Sequence, residues 1–160
     1  MHGYRVIALD PNAAQEVRAT LAAPGYGHPA HVETAKGYGP CRVCLDTFKE
    51  GEERRILFTH DPFSGREPYP LPGPIFIHER ECDRFPEGNY FPDRLRFIPL
   101  TFNAYGRGRR LVAQHRIADG AVENAVNLLF SDVGVEYIHV RNTEAGCYIA
   151  SLERGSPALG

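Results

Sequence analysis

The sequence predicts an α+β fold, a single domain over residues 1–160 with a largely antiparallel sheet, two helices and a long proline-rich loop. Three observations predict it. Strand-like runs follow one another across short turns, and two segments carry the apolar spacing of helices. Between them "DPFSGREPYPLPGP" (61–74) holds five prolines, which forbid both helix and central strand. Sequential strands with segregated helices are the α+β pattern.

Taken in order, "YRVIALD" reads as a first strand. Asp10 then caps a helix, with Pro11 at the first helical position, where its missing N–H costs nothing. Ala14, Val17 and Leu21 give that helix an apolar face, and Pro24-Gly25 ends it. Residues 24–40 read as loop and carry His28 and His31. "RRILFTH" (54–60) is a strand, the proline-rich loop follows, and "IFIHE" (75–79) is a short strand leaving it. In "RLRFIPLTFNAY" (94–105) the apolar parity changes partway, which a bulge at Ile98-Pro99 would repair. "GRGR" (106–109) turns into "RLVAQHRI" (110–117). Asp119 opens a helix over 119–131, in which Val122, Ala125, Val126, Leu129 and Phe130 form one stripe. "VEYIHVRN" (135–142) and "CYIASL" (147–152) close the fold as a hairpin, and residues 155–160 read as a flexible tail.

Hydrophobic residues make up 42% of the chain and charged residues 24%, a balance that buries a core without disulfide staples. A net charge of −2 offers no field to recruit nucleic acid or an anionic membrane, so neither is an expected partner. Tryptophan is absent and no RNA-binding motif occurs. The start, "MHGYRVIALDPN", lacks the basic and apolar blocks of a secretory signal. No apolar run approaches the roughly 18–20 residues of a membrane span. The expected location is cytoplasmic, where thiols stay reduced. The oligomeric state has no signature in the sequence.

In that compartment the four cysteines read as ligands, reactive thiols or core fillers before they read as disulfides. "GPCRVCL" places Cys41 and Cys44 two residues apart behind a Gly-Pro turn, so both sulfurs can point at one ion. "HEREC" adds His78 and Cys82, whose spacing of four fits one side of a helical turn. Together they supply the four thiolate and imidazole ligands that tetrahedral zinc requires. A redox dithiol would sooner stand at the start of a helix that follows a strand. Buried structural thiols are the third reading.

The last hairpin holds a second group. In strand 135–142, Tyr137, His139 and Arg141 alternate onto one face. A five-residue connection sets Arg141 opposite Cys147 and His139 opposite Ile149, whereas a four-residue connection sends Cys147 to the other face. In the first register Cys147, His139 and Arg141 form a candidate catalytic set of nucleophile, base and anion clamp. The plainer reading is a sheet face with a hydrogen-bonded histidine.

"GPCRVCL", "GEERRILFTHDPF", "PGPIFIHEREC", "LRFIPLTFNAY" and "VEYIHVRNTEAGCYIASLER" occur in that order. Together they resemble the bacterial domain-of-unknown-function family 1203, from the first strand to Arg154. The resemblance implies a one-domain bacterial protein and no particular reaction. It also implies that Cys41, Arg42, Gly51, Glu52, His139 and Cys147 belong to the family broadly, and Cys44, His78 and Cys82 to some members. On that pattern the zinc set comes and goes as a unit, and a common site would join Cys41 with Cys147 and His139.

Two expectations from different classes follow. The first is a domain with a structural zinc on Cys41, Cys44, His78 and Cys82, pinning the proline-rich loop to the sheet. The second is a small-molecule enzyme with a pocket between that loop and the last hairpin. Cys147 or Cys41 would be its nucleophile and His139 its base, with Arg42 or Arg141 holding a small anionic ligand and Glu52 as an alternative acid or base.

Overall fold

The computed structural model describes residues 3–155, so the expected tail lies outside them except for Gly155. The α+β class holds: two α-helices and two antiparallel sheets are formed among the described residues. The chain divides into two compact units. One takes the chain up to Ile7 and from Pro86 onward, and the other is Ala8–Phe85.

In the first unit the strands are β1 (Tyr4–Ile7), β5 (Leu100–Gly106), β6 (Arg110–Ile117), β7 (Tyr137–Asn142) and β8 (Tyr148–Arg154). They form one sheet in the order β1-β8-β7-β5-β6. Phe102, Val140 and Ala150 align across three strands, as do Ala104, Ile138 and Leu152, giving a wholly apolar face. The opposite face carries Thr101, Asn103 and Tyr105 beside Arg141, His139 and Tyr137. The second helix, α2 (Val122–Phe130), starts three residues later than the sequence suggests. Asp119 instead accepts the Ala121 N–H at 3.1 Å, a cap to the turn before it. All five residues of the predicted stripe are buried. Arg154 closes the far end of α2 by donating to the carbonyls of Phe130, Asp132 and Val135.

No bulge forms at Ile98-Pro99. Residues Asp93–Phe97 are a 3-10 turn that buries Leu95 and leaves Phe97 87% exposed, so their alternation is not that of a strand. The register shift in β5 lies instead between Ala104 and Tyr105.

The second unit holds α1 (Pro11–Thr20) and a sheet ordered β2-β3-β4, with β2 His31–Thr34, β3 Arg54–His60 and β4 Gly73–His78. Asp10 caps α1 through Asn12 N at 2.9 Å. The helix stops before Pro24-Gly25, because Leu21 turns left-handed (φ 52°) and its N–H closes on the Val17 carbonyl. β2 falls where the sequence reads as loop. This four-residue edge strand is defined by its partner: Glu33 lies opposite Arg55 and pairs with its guanidinium at 3.4 Å. On β3 and β4, Ile56 pairs with Ile77 and Phe58 with Ile75, and these side chains join Ala14 and Val17 of α1 in the core. The opposite side of the same strands carries Arg55 across from His78. Residues 61–72 contain turns but neither helix nor strand.

Candidate metal centre

The centre lies wholly within Ala8–Phe85. Its first half is a tight turn in which the Leu45 N–H donates to the Cys41 carbonyl at 2.9 Å and the Cys41 N–H to the Asp46 carbonyl at 3.0 Å. Leu45 takes a left-handed conformation (φ 58°) to close it. Gly39 (φ +93°) admits no side chain, because a Cβ there would run into the Phe48 ring. That ring in turn packs edge-on against His78, with centroids 4.6 Å apart. Cys41 is fully buried, and Cys44 and Cys82 are half-buried.

The second half is not the helical turn that the spacing of His78 and Cys82 suggests. His78 ends β4, and the chain then doubles back without helix. Phe85 donates to the Val43 carbonyl at 2.8 Å, which returns Cys82 to the first turn. The same four residues converge by another route.

Their ligand atoms all lie within 4.8 Å of one another. Cys41 Sγ and Cys82 Sγ are 3.8 Å apart, and Cys44 Sγ is 3.5 Å from His78 Nδ1. Zinc bonds of about 2.3 Å to sulfur and about 2.0–2.1 Å to nitrogen, at tetrahedral angles, require about 3.8 Å between sulfurs and about 3.5–3.6 Å from sulfur to nitrogen. These two pairs match both spacings. Disulfide bonding does not explain the crowding, since all four cysteines are free thiols.

Two further residues complete the surroundings, and the sequence reading singled out neither. Glu53 Oε2 lies 3.0 Å from His78 Nε2. A carboxylate there holds a hydrogen on Nε2, so that Nδ1, once it has lost its own proton, turns its lone pair to the sulfurs, the arrangement that orients a metal-ligating histidine. Arg18, in the last turn of α1, donates twice to the His78 carbonyl, at 3.0 and 3.1 Å, and once to Cys82 Sγ at 3.7 Å. Its positive charge offsets an anionic thiolate cluster. An open cleft lined by Glu52, Glu53, Arg54 and Glu79 reaches the imidazole.

The electrostatics of the metal-free cluster follow from this crowding. Hydrogen bonds from Cys44 and then Cys82 hold the Cys41 thiol far below its ordinary range, against the opposing effect of burial. Cys44, bonded to Cys41, is pushed up. His78 is raised to about 10 by its hydrogen bonds to Cys41 and Cys82. Cys44 and His78 therefore hold their protons more tightly than free side chains do, while Cys41 gives its proton up more readily. A divalent cation would displace those protons.

The residues of the second predicted group stand on the last hairpin. The Asn142 N–H donates to the Cys147 carbonyl at 2.9 Å, so the connection is the four-residue one, 143–146, and Arg141 pairs with Tyr148 instead of Cys147. A register shift between Val140 and Arg141 then sets His139 opposite Ser151 instead of Ile149. His139 is buried among the rings of Tyr105, Tyr137 and Tyr148, with centroids 4.9–5.3 Å away. Arg141 donates to the Gly146 carbonyl at 2.9 Å, and the Cys147 thiol lies 3.8 Å from the Ala145 carbonyl. As the four-residue alternative requires, Tyr148 rather than Cys147 shares the face of His139 and Arg141. In the second unit Arg42 is buried and donates to the Pro40 carbonyl at 2.5 Å.

A family model described as "Protein of unknown function (DUF1203)" matches residues 38–154. The chain belongs to that family. The DUF1203 span contains the four clustered residues and Glu53, as well as Cys147, His139 and Arg141, but not Arg18. No curated protein and no solved structure matched the chain. No helix among the described residues is long and apolar enough to cross a membrane.

Proposed function

We propose that this DUF1203 chain binds one zinc ion through Cys41, Cys44, His78 and Cys82, and that the ion is structural. One observation carries the reading: the 3.8 Å sulfur–sulfur and 3.5 Å sulfur–nitrogen spacings are those of a tetrahedral zinc shell. Four protein ligands fill that shell and leave no position for water or substrate, which separates structural from catalytic zinc. Thiolate and imidazole ligands favour zinc over magnesium or calcium, which take oxygen. The ion would join the turn at 41–45, the end of β4 and the loop that follows it.

Elemental analysis of protein purified under reducing conditions tests the reading. The expected result is one zinc per chain, removed by a strong chelator. Removal should speed hydrogen exchange and proteolysis between residues 41 and 82, with early cleavage in "SGREPYPLPG" (64–73). Protein that arrives without metal and takes up no zinc when reduced would overturn the proposal.

A further inference from the structure

We infer that Cys41 and Cys82 form a peroxide-sensitive pair, oxidised together to a disulfide that expels the metal. The inference rests on the zinc reading for what is expelled, and on the sulfur geometry for which pair forms. Cys41 and Cys82 approach to 3.8 Å, and closing to a disulfide bond of about 2.05 Å asks for a shift of under about 2 Å. Cys44 also touches Cys41, but it is held in the same tight turn, closed by the Leu45 N–H on the Cys41 carbonyl, whereas Cys82 comes from the loop after β4.

The order of attack follows from exposure and charge. Cys41 is fully buried, whereas Cys82 is half-buried and lies in the loop after β4 rather than in a strand. The Arg18 guanidinium, 3.7 Å from Cys82 Sγ, stabilises negative charge there. The Cys82 thiolate attacks one oxygen of hydrogen peroxide; an S–O bond forms, the O–O bond breaks and hydroxide leaves. The Cys41 thiolate then attacks Cys82 Sγ; an S–S bond forms, the S–O bond breaks and a second hydroxide leaves. Two electrons pass from the sulfurs to the peroxide, and two solvent protons turn the hydroxides into water. The ion is left with two of its four ligands and dissociates. Thiol reductant with added zinc restores the site.

The test uses the full-length reduced protein, with its zinc content measured before peroxide is added. That first measurement judges the zinc reading by itself. One equivalent of hydrogen peroxide is then added, with a metal-release dye and non-reducing peptide mapping as readouts. The expected result is loss of the bound zinc together with a peptide cross-link between Cys41 and Cys82. In Cys41→Ser the resolving sulfur is gone, so a sulfenic acid should accumulate on Cys82 and be trapped by dimedone. A cross-link between Cys41 and Cys44, or dimedone on Cys44, overturns the inference. So does peroxide spent on Cys147 while the zinc stays bound. In a protein that carries no zinc, the peptide map still decides the sulfur pairing.

Discussion

Replacing Glu53 by glutamine isolates the one contact that sets the tautomer of His78. Glu53 uses both carboxylate oxygens: Oε1 accepts the Lys49 N–H at 2.7 Å, and Oε2 faces His78 Nε2 at 3.0 Å. In Glu53→Gln the amide oxygen keeps the Lys49 contact, so the amide NH2 is the group left facing His78. It donates where the carboxylate accepted, and so favours the tautomer with hydrogen on Nδ1, the nitrogen the metal needs bare. Removing a carboxylate behind a metal-ligating histidine typically weakens binding about ten- to a hundredfold, or about 1.4–2.7 kcal/mol. Glu53→Gln should reach the upper part of that range. Glu53→Ala should weaken binding less, because water can then accept from Nε2. Competition titration of zinc against a chromophoric chelator measures both, with Glu52→Gln as the neighbouring control. Equal affinities for wild type and Glu53→Gln, or a larger loss in Glu53→Ala, would refute the tautomer argument.

Zinc affinity should fall as pH falls, because Cys44 is pushed up and His78 is raised to about 10 in the metal-free cluster. Both must release protons, so the loss below pH 10 should be about tenfold or more per unit; a flat profile in the same titration would exclude these ligands. Cys44→Ser and Cys82→Ser should each lose the metal while Cys147→Ser keeps it, read by elemental analysis. Leu129→Ala should cost about 2–5 kcal/mol in denaturant melts, since Leu129 is buried in the α2 stripe, and a change below about 0.5 kcal/mol would mean the stripe is not core.

How much of this was legible in the sequence depends on what set each feature. The α2 stripe follows from local periodicity and its apolar spacing survives folding unchanged, and β3 and β6 fall where the sequence places strands. β2 has no such signal. It is a strand because β3 offers it an edge, and its Glu33–Arg55 pair exists only once the two are aligned. Asp93–Phe97 misleads in the opposite direction: Leu95 and Phe97 alternate like strand residues, yet the segment turns and only Leu95 goes inside. In the last hairpin the four-residue connection decides that Cys147 does not face Arg141, and only the further shift between Val140 and Arg141, which sets His139 opposite Ser151, has no signal in the loop length.

The four clustered residues are legible from their types and short spacings, although the spacing of His78 and Cys82 suggests a helical turn that does not form. Glu53 and Arg18 could not be read in the same way. In "GEE" nothing local separates Glu52 from Glu53. The difference comes from the pairing of Arg55 with His78, since Glu53 lies two residues before Arg55 and thus on its side of the chain. Arg18 ends an amphipathic helix, where a cation ordinarily serves only the helix dipole. Its second role depends on the last turn of α1 reaching the His78 carbonyl.

This distribution of legible and hidden parts fits the needs of the Ala8–Phe85 unit. A core of that size, with one ten-residue helix and three strands, falls in the range of about 70–80 residues where burial alone gives little margin. Residues 61–72 of its proline-rich stretch form no sheet or helix, only Gly73 and Pro74 entering β4, and Asp61 holds the stretch by accepting the Phe63 and Leu71 N–H groups. Fixing the turn at 41–45, the end of β4 and the following loop to one ion would add long-range constraint to this core. Arg18 extends that constraint to α1, the only helix of the unit among the described residues. Soft, strongly bound ligands would serve that constraint, and short cysteine and histidine motifs reveal such residues in the sequence. Glu53 and Arg18 only orient and neutralise, tasks that almost any acid or base could perform once the fold has placed it.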